Sequence, residues 1–228
     1  MTTGLRETVL QIVNRVERKL RVPPSASLTA TKLSRELLDL LNEVSDEISD
    51  AGDWHEYKRE TEVTALSSVA AYEVAVSGNV KNLREIVFGS AAAPLVWRDM
   101  EDIRLLNRVS SYGQPRQVCI EGVNASSGNP IFRVTPVPSQ AVASGKTFNV
   151  LFFQKPPLYG TSDASATVVF PSNLVVAGLY AKALLAESGG APTNEYQVAI
   201  AEFIRMRREV NNRFNADINA ATFFKPRV

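Results

Sequence analysis

Helical apolar stripes occupy both ends of this chain and leave strand-like texture between them, and that order constrains the fold more than any other feature. Leu5, Val9, Ile12, Val13, Val16 and Leu20 recur at spacings of three and four, which sets them along one face of a helix. Val22-Pro23-Pro24-Ser25 stops that helix, because proline lacks the amide hydrogen and restricts the residue before it. Thr29 or Thr31 can cap a second helix with the stripe Leu33, Leu37, Leu40, Leu41, Val44 and Ile48, terminated near Gly52. One helical hairpin cannot cover both of its own stripes. The C-terminal third supplies the missing partners. Ser172 can cap a helix burying Val175, Val176, Leu179, Ala183 and Leu184 up to Gly189-Gly190. Pro192-Thr193 opens another, with Tyr196, Ile200, Phe203, Val210 and Phe214 at helical spacing.

Between these ends the periodicity changes. Tyr72–Val76, Gln117–Glu121, Ile131–Val134, Phe148–Phe153 and Thr167–Phe170 are short β-type runs separated by turn residues. Val96, Met100, Ile103 and Leu106, following Pro94, suit one small helix. The sequence therefore predicts an α+β protein. Residues 1–57 and 171–214 form a helical bundle, 58–170 an inserted antiparallel β domain with one short helix, and 215–228 an extended C-terminal tail with aromatic anchors.

Composition narrows the function. The 228 residues carry 25 Lys and Arg against 24 Asp and Glu, a formal charge of +1, so no bulk field draws the chain to nucleic acid or anionic lipid. A single Cys119 excludes an internal disulfide and a multi-cysteine metal site. No apolar run reaches the roughly 20 residues that span a bilayer, and Met1-Thr2-Thr3-Gly4 lacks the pattern of a signal peptide, so a soluble, unexported chain without a membrane partner is expected.

Reactive groups are scarce. His55 is the one histidine, beside Trp54, and no serine sits in a Gly-x-Ser-x-Gly elbow. Neither Gly-x-x-x-x-Gly-Lys-Ser/Thr nor Gly-x-Gly-x-x-Gly occurs. No cofactor, metal or catalytic residue is expected. Acidic residues gather at Glu43, Asp46, Glu47 and Asp50, where negative charge near a helix C-terminus opposes the macrodipole. Arg205, Arg207 and Arg208 on the last helix are the candidate compensators, as ion pairs within the bundle or across a subunit boundary. An Asp46–Asp50 acid–base pair, as in a small cell-wall-degrading hydrolase, is the enzymatic alternative.

The order of short motifs resembles a known family. Asp53-Trp54 ends the helical start. Ala93-Pro94-Leu95, Ser111-Tyr112-Gly113-Gln114-Pro115, Phe132-Arg133-Val134-Thr135-Pro136-Val137-Pro138, a strand running into Lys155-Pro156-Pro157, and Ala177-Gly178-Leu179-Tyr180 follow in turn. This order resembles the head-to-tail adaptor, or connector, proteins of tailed bacteriophages, especially the tail accessory and tubular proteins of short-tailed phages. The resemblance implies a structural virion protein in the neck: a twelve-fold ring of self-contacts that binds the portal protein, extends the channel for double-stranded DNA and receives the next tail protein (nozzle or tail tube). It implies a C-terminal segment docked on the portal, for which Phe223, Phe224 and Arg227 are the candidates by position. A stopper or tail-completion neck protein of a long-tailed phage is the nearest alternative.

Overall fold

The computed structural model describes residues 6–54, 57–76, 79–90, 93–108 and 112–223, with side chains up to Asn212. Among these residues lie six helices and seven strands. The chain divides into two compact units, Tyr57–Lys155 and the residues on either side of it.

The flanking unit is helical. It contains α1 (Val9–Lys19), α2 (Lys32–Asp50), α5 (Ser172–Glu187) and α6 (Asn194–Phe223). A capping box starts α1: the Thr8 hydroxyl accepts from Gln11 N, and Gln11 Oε1 accepts from Thr8 N. Thr31, rather than Thr29, caps α2, with Ser34 as its reciprocal partner. The two stripes read from the sequence are buried, Ile12, Val13 and Val16 on α1 and Leu37, Leu41, Val44 and Ile48 on α2. They are covered by α5, whose residues are buried nearly all round, as befits a central helix without a polar face. In turn, α6 packs on α5, and Phe203 is fully enclosed.

Two sequence expectations need correction here. Residues 156–170 belong with the helices rather than with the β domain. Asn42 donates Nδ2 to the Tyr159 carbonyl and accepts from Tyr159 N, Val168 N donates to Glu7 O, and Phe170 meets Trp54 edge-on at 5.0 Å. The run Thr167–Phe170 makes one bridge, Thr167 to Thr8, and is not a sheet strand. The second correction concerns the C-terminus. From Asn215 to Phe223 the chain continues α6 instead of extending, since three alanines and no glycine or proline leave nothing to stop it. Phe224 and Arg227 lie outside the described residues, as does His55.

The unit Tyr57–Lys155 is built of two sheets around one core. In the first, β7 (Thr147–Gln154) lies between β1 (Lys58–Thr64) and β3 (Val80–Phe88), antiparallel to both. The second runs β2 (Ala71–Glu73), β6 (Pro130–Thr135), β5 (Gln117–Val123), β4 (Val96–Trp97). Phe148 from β7 meets Tyr72, Phe88 and Phe132 at 4.7–5.4 Å, so an aromatic cluster joins the two inner faces. The β4–β5 pair is parallel, which departs from the all-antiparallel expectation. Val96 belongs to this short strand, so helix α3 (Met100–Arg108) starts after it, and Ile103 is its buried anchor. A single turn, α4 (Gln140–Ala143), precedes β7.

Candidate interaction surfaces

In the helical unit, α5 is the spacer that fixes how closely its neighbours approach. A Cβ built on Gly178 would stand 2.8 Å from both a Phe203 ring carbon and a Val44 methyl, so this glycine lets α2 and α6 close onto α5. That approach carries the charged side chains of α2 within reach of α6. Arg207 donates Nη1 to Glu47 Oε1 at 3.0 Å, while its guanidinium lies 5.5 Å from the centre of the Phe203 ring. The stem of Arg207 is thus half-buried in the apolar stripe and its head reaches the acidic helix. Lys182 donates to Glu43 at 3.1 Å and stands 3.7 Å from Glu47. Asn211 closes the row, donating Nδ2 to the Ala51 carbonyl beside Gly52.

The structure therefore sorts the predicted charged residues into two groups. Glu43, Glu47 and Arg207 are brought together in this seam. Asp46, Asp50 and Arg208 carry no ion pair or hydrogen bond among the described side chains, and Arg205 is bound to Glu209 one turn along its own helix. Lys182 was missed by reading the sequence. The signal was present, since it is the one charged residue between Leu174 and Ala186 of α5.

The β unit adds two polar clusters. Arg133 grips Glu121 through Nε at 3.1 Å and Nη2 at 2.6 Å, with Arg104 at 3.9 Å. The neighbouring Cys119 is buried, and burial pushes its thiol pKa up, against the pull of Arg133, which leaves it a poor nucleophile. The Glu73 carboxylate accepts from Ser127 Oγ at 2.6 Å, Asn129 Nδ2 at 2.8 Å and Asn124 Nδ2 at 2.6 Å, and these donors hold its pKa down. It clamps the loop between β5 and β6. Around this unit Leu105, Tyr112 and Val123 are more than half exposed.

Among the described residues no three His, Cys, Asp or Glu side chains gather as a metal site, and no helix is long and apolar enough to cross a membrane. What the fold presents is surface: a helical unit with an acidic α2, a long α6, and a β unit with scattered apolar side chains. Residues 7–222 match the family model described as SU10 adaptor protein, so the chain belongs to the SU10 adaptor protein family and is a structural adaptor protein of a bacteriophage. No curated protein matches it.

Proposed function

We propose that this chain is the head-to-tail adaptor of a tailed phage. It assembles as a twelve-copy ring in the virion neck, binds the portal protein above, prolongs the DNA channel and gives the next tail protein its docking platform. The observation that carries this reading is the family match, which spans both helical ends and the β region together.

Two physical points support it. Duplex DNA carries one negative charge per about 1.7 Å, and every phosphate a channel neutralises adds affinity and friction. A formal charge of +1 with interleaved signs suits passage of a polyanion better than a basic lining does. The second point is the reach of α6. Its last described side-chain contact is Asn211, and the helix continues to Phe223, about 18 Å further at 1.5 Å per residue. We assign portal docking to this distal part and the residues after it, with Phe223, Phe224 and Arg227 as anchors. The charges that the seam leaves over, Asp46 and Asp50 on α2 and Arg208 on α6, serve contacts between copies.

Electron microscopy of the purified chain mixed with portal rings of its phage tests the reading. A ring of extra density capping the portal is the expected result. Bare portals at saturating protein would overturn it. Deleting the residues after Phe214 should leave a folded chain that no longer caps them.

A further inference from the structure

The charges of α2 run against its own dipole. The N-terminal turn holds Lys32 and Arg35 and no acidic residue, while the C-terminal half holds Glu43, Asp46, Glu47 and Asp50 and no basic one. Each misplaced charge is unfavourable in an isolated helix, and both ends are wrong in sign. Internal pairs correct only part of this. Lys182 and Arg207 neutralise Glu43 and Glu47, and Lys32 bonds Glu36. Asp39, Asp46 and Asp50 remain, on one face at spacings of seven and four.

The basic end is larger than α2 alone. The Glu17 carboxylate at the end of α1 accepts from both the amide and the hydroxyl of Ser25, and that hydroxyl lies 3.5 Å from the Thr31 hydroxyl that caps α2. This chain of contacts ties the end of α1 to the start of α2 and gathers Arg18, Lys19, Arg21 and Arg35. All four are exposed and none has a carboxylate partner among the described residues. Arg35 and Asp50 are separated by about 22 Å of helix. Charges of opposite sign that far apart on one helix cannot pair with each other within the chain, but a second copy can bring them together. Among the described side chains of α6 only Arg208 is left over for such a contact, because Arg205 bonds Glu209 and Arg207 bonds Glu47, so α6 is the lesser basic face.

We infer that copies of this chain join head to tail in the helical unit, the Arg18, Lys19, Arg21 and Arg35 end of one against the Asp39, Asp46 and Asp50 face of the next. The occupant of each surface is a second copy. The contact is heterologous, so it closes into a ring when the rotation between copies permits. This inference rests on the adaptor reading and names its subunit contact.

Charge swapping tests it. Full-length R18E/K19E/R21E turns the basic end net acidic, so it has two acidic surfaces, and D46K/D50K turns the acidic face net basic, so it has two basic ones; circular dichroism verifies that both are folded. Ring completion on portal rings is read by electron microscopy and mass photometry. Each variant alone should need at least about tenfold more protein than wild type to complete a ring, since like charges then face each other. An equimolar mixture should restore assembly, because the two variants alternate around an even-numbered ring. If either variant alone completes rings as wild type does, or the mixture fails to, the head-to-tail contact is wrong while capping by wild type still upholds the adaptor reading. If wild type itself leaves the portal bare, both fall.

Discussion

Glu17 and Ser25 form a buried two-point lock: Ser25 N donates to Oε2 of the carboxylate at 2.7 Å and Ser25 Oγ to Oε1 at 2.6 Å. Glu17 is fully buried and Ser25 nearly so. A carboxylate at such a place is tolerable only while its oxygens are hydrogen-bonded. Ser25→Ala keeps the amide bond and removes the hydroxyl, so it should lower stability by about 1–3 kcal/mol. Urea unfolding of the two proteins measures the difference. A loss below about 0.5 kcal/mol would show that water reaches Glu17.

Gly178→Ala reverses an ordinary rule. In most helix interiors alanine is favoured over glycine by about 1 kcal/mol. Here the new methyl would meet Phe203 and Val44 at 2.8 Å, and neither a ring in a full core nor a β-branched side chain gives way readily. We expect a net destabilisation of about 1–3 kcal/mol, seen as a lower thermal midpoint with α5 and α6 affected together. An unchanged or raised midpoint would mean that α2 and α6 can step back from α5 without loss.

The Glu73 clamp sets a pH dependence for the β5–β6 loop. Donors from Ser127, Asn129 and Asn124 hold the folded-state pKa below the ordinary value near 4.5. The unfolded chain therefore takes up the proton first. The contribution of the clamp is complete above the ordinary carboxylate range and fades as pH falls through the lowered folded value. Amide exchange at Ser126 and Asn129 should accelerate in acid beyond the intrinsic rate, and Glu73→Gln should show fast exchange already at neutral pH. Equal protection in the wild type and the Gln variant would rule out the carboxylate as the clamp.

The bundle was legible in the sequence because helical periodicity reports directly which residues turn inward. Val9, Ile12, Val13 and Val16, and Leu37, Leu41, Val44 and Ile48, are the buried faces of α1 and α2. The longest strand was not legible. In β3 the apolar residues Val80, Leu83 and Ile86 fall three apart, because register shifts at Val80/Asn82 and Leu83/Glu85 break the two-residue alternation that marks a strand. Residues 156–170 misled for a related reason. Their end, Thr167–Phe170, has β-type composition, but the backbone partners of Ala164, Ala166 and Val168 are Leu10, Val9 and Glu7, far away in sequence. Of the charged seam, Arg207 and Glu47 could be singled out by type and position. Which carboxylates each cation reaches depends on how closely the helices pack, and Gly178 decides that.

The seam itself is modest in energy. Glu47 and Arg207 are partly solvated, so Arg207→Ala, Glu47→Ala and the two combined should reveal a coupling of about 0.2–1 kcal/mol, not several. A double-mutant cycle by chemical unfolding measures it. A coupling near zero would mean that Arg207 contributes through its packing on Phe203.

Arg21 separates stability from assembly. It follows the C-terminus of α1 with φ 60°, the left-handed region where glycine is the usual residue. A side chain there costs roughly 1–2 kcal/mol, offset in part by the greater freedom that glycine gives the unfolded chain. Arg21→Gly should therefore raise the stability of the isolated chain by up to about 1 kcal/mol while removing one charge from the basic end. If that end docks on α2 of the next copy, the stabilised variant completes rings on portals less well than wild type, and added salt narrows the gap by screening what charge remains. The contact in the ring then offsets the strain at Arg21. A variant that is both more stable and equally competent in assembly would leave the strain without a purpose and take Arg21 out of the contact.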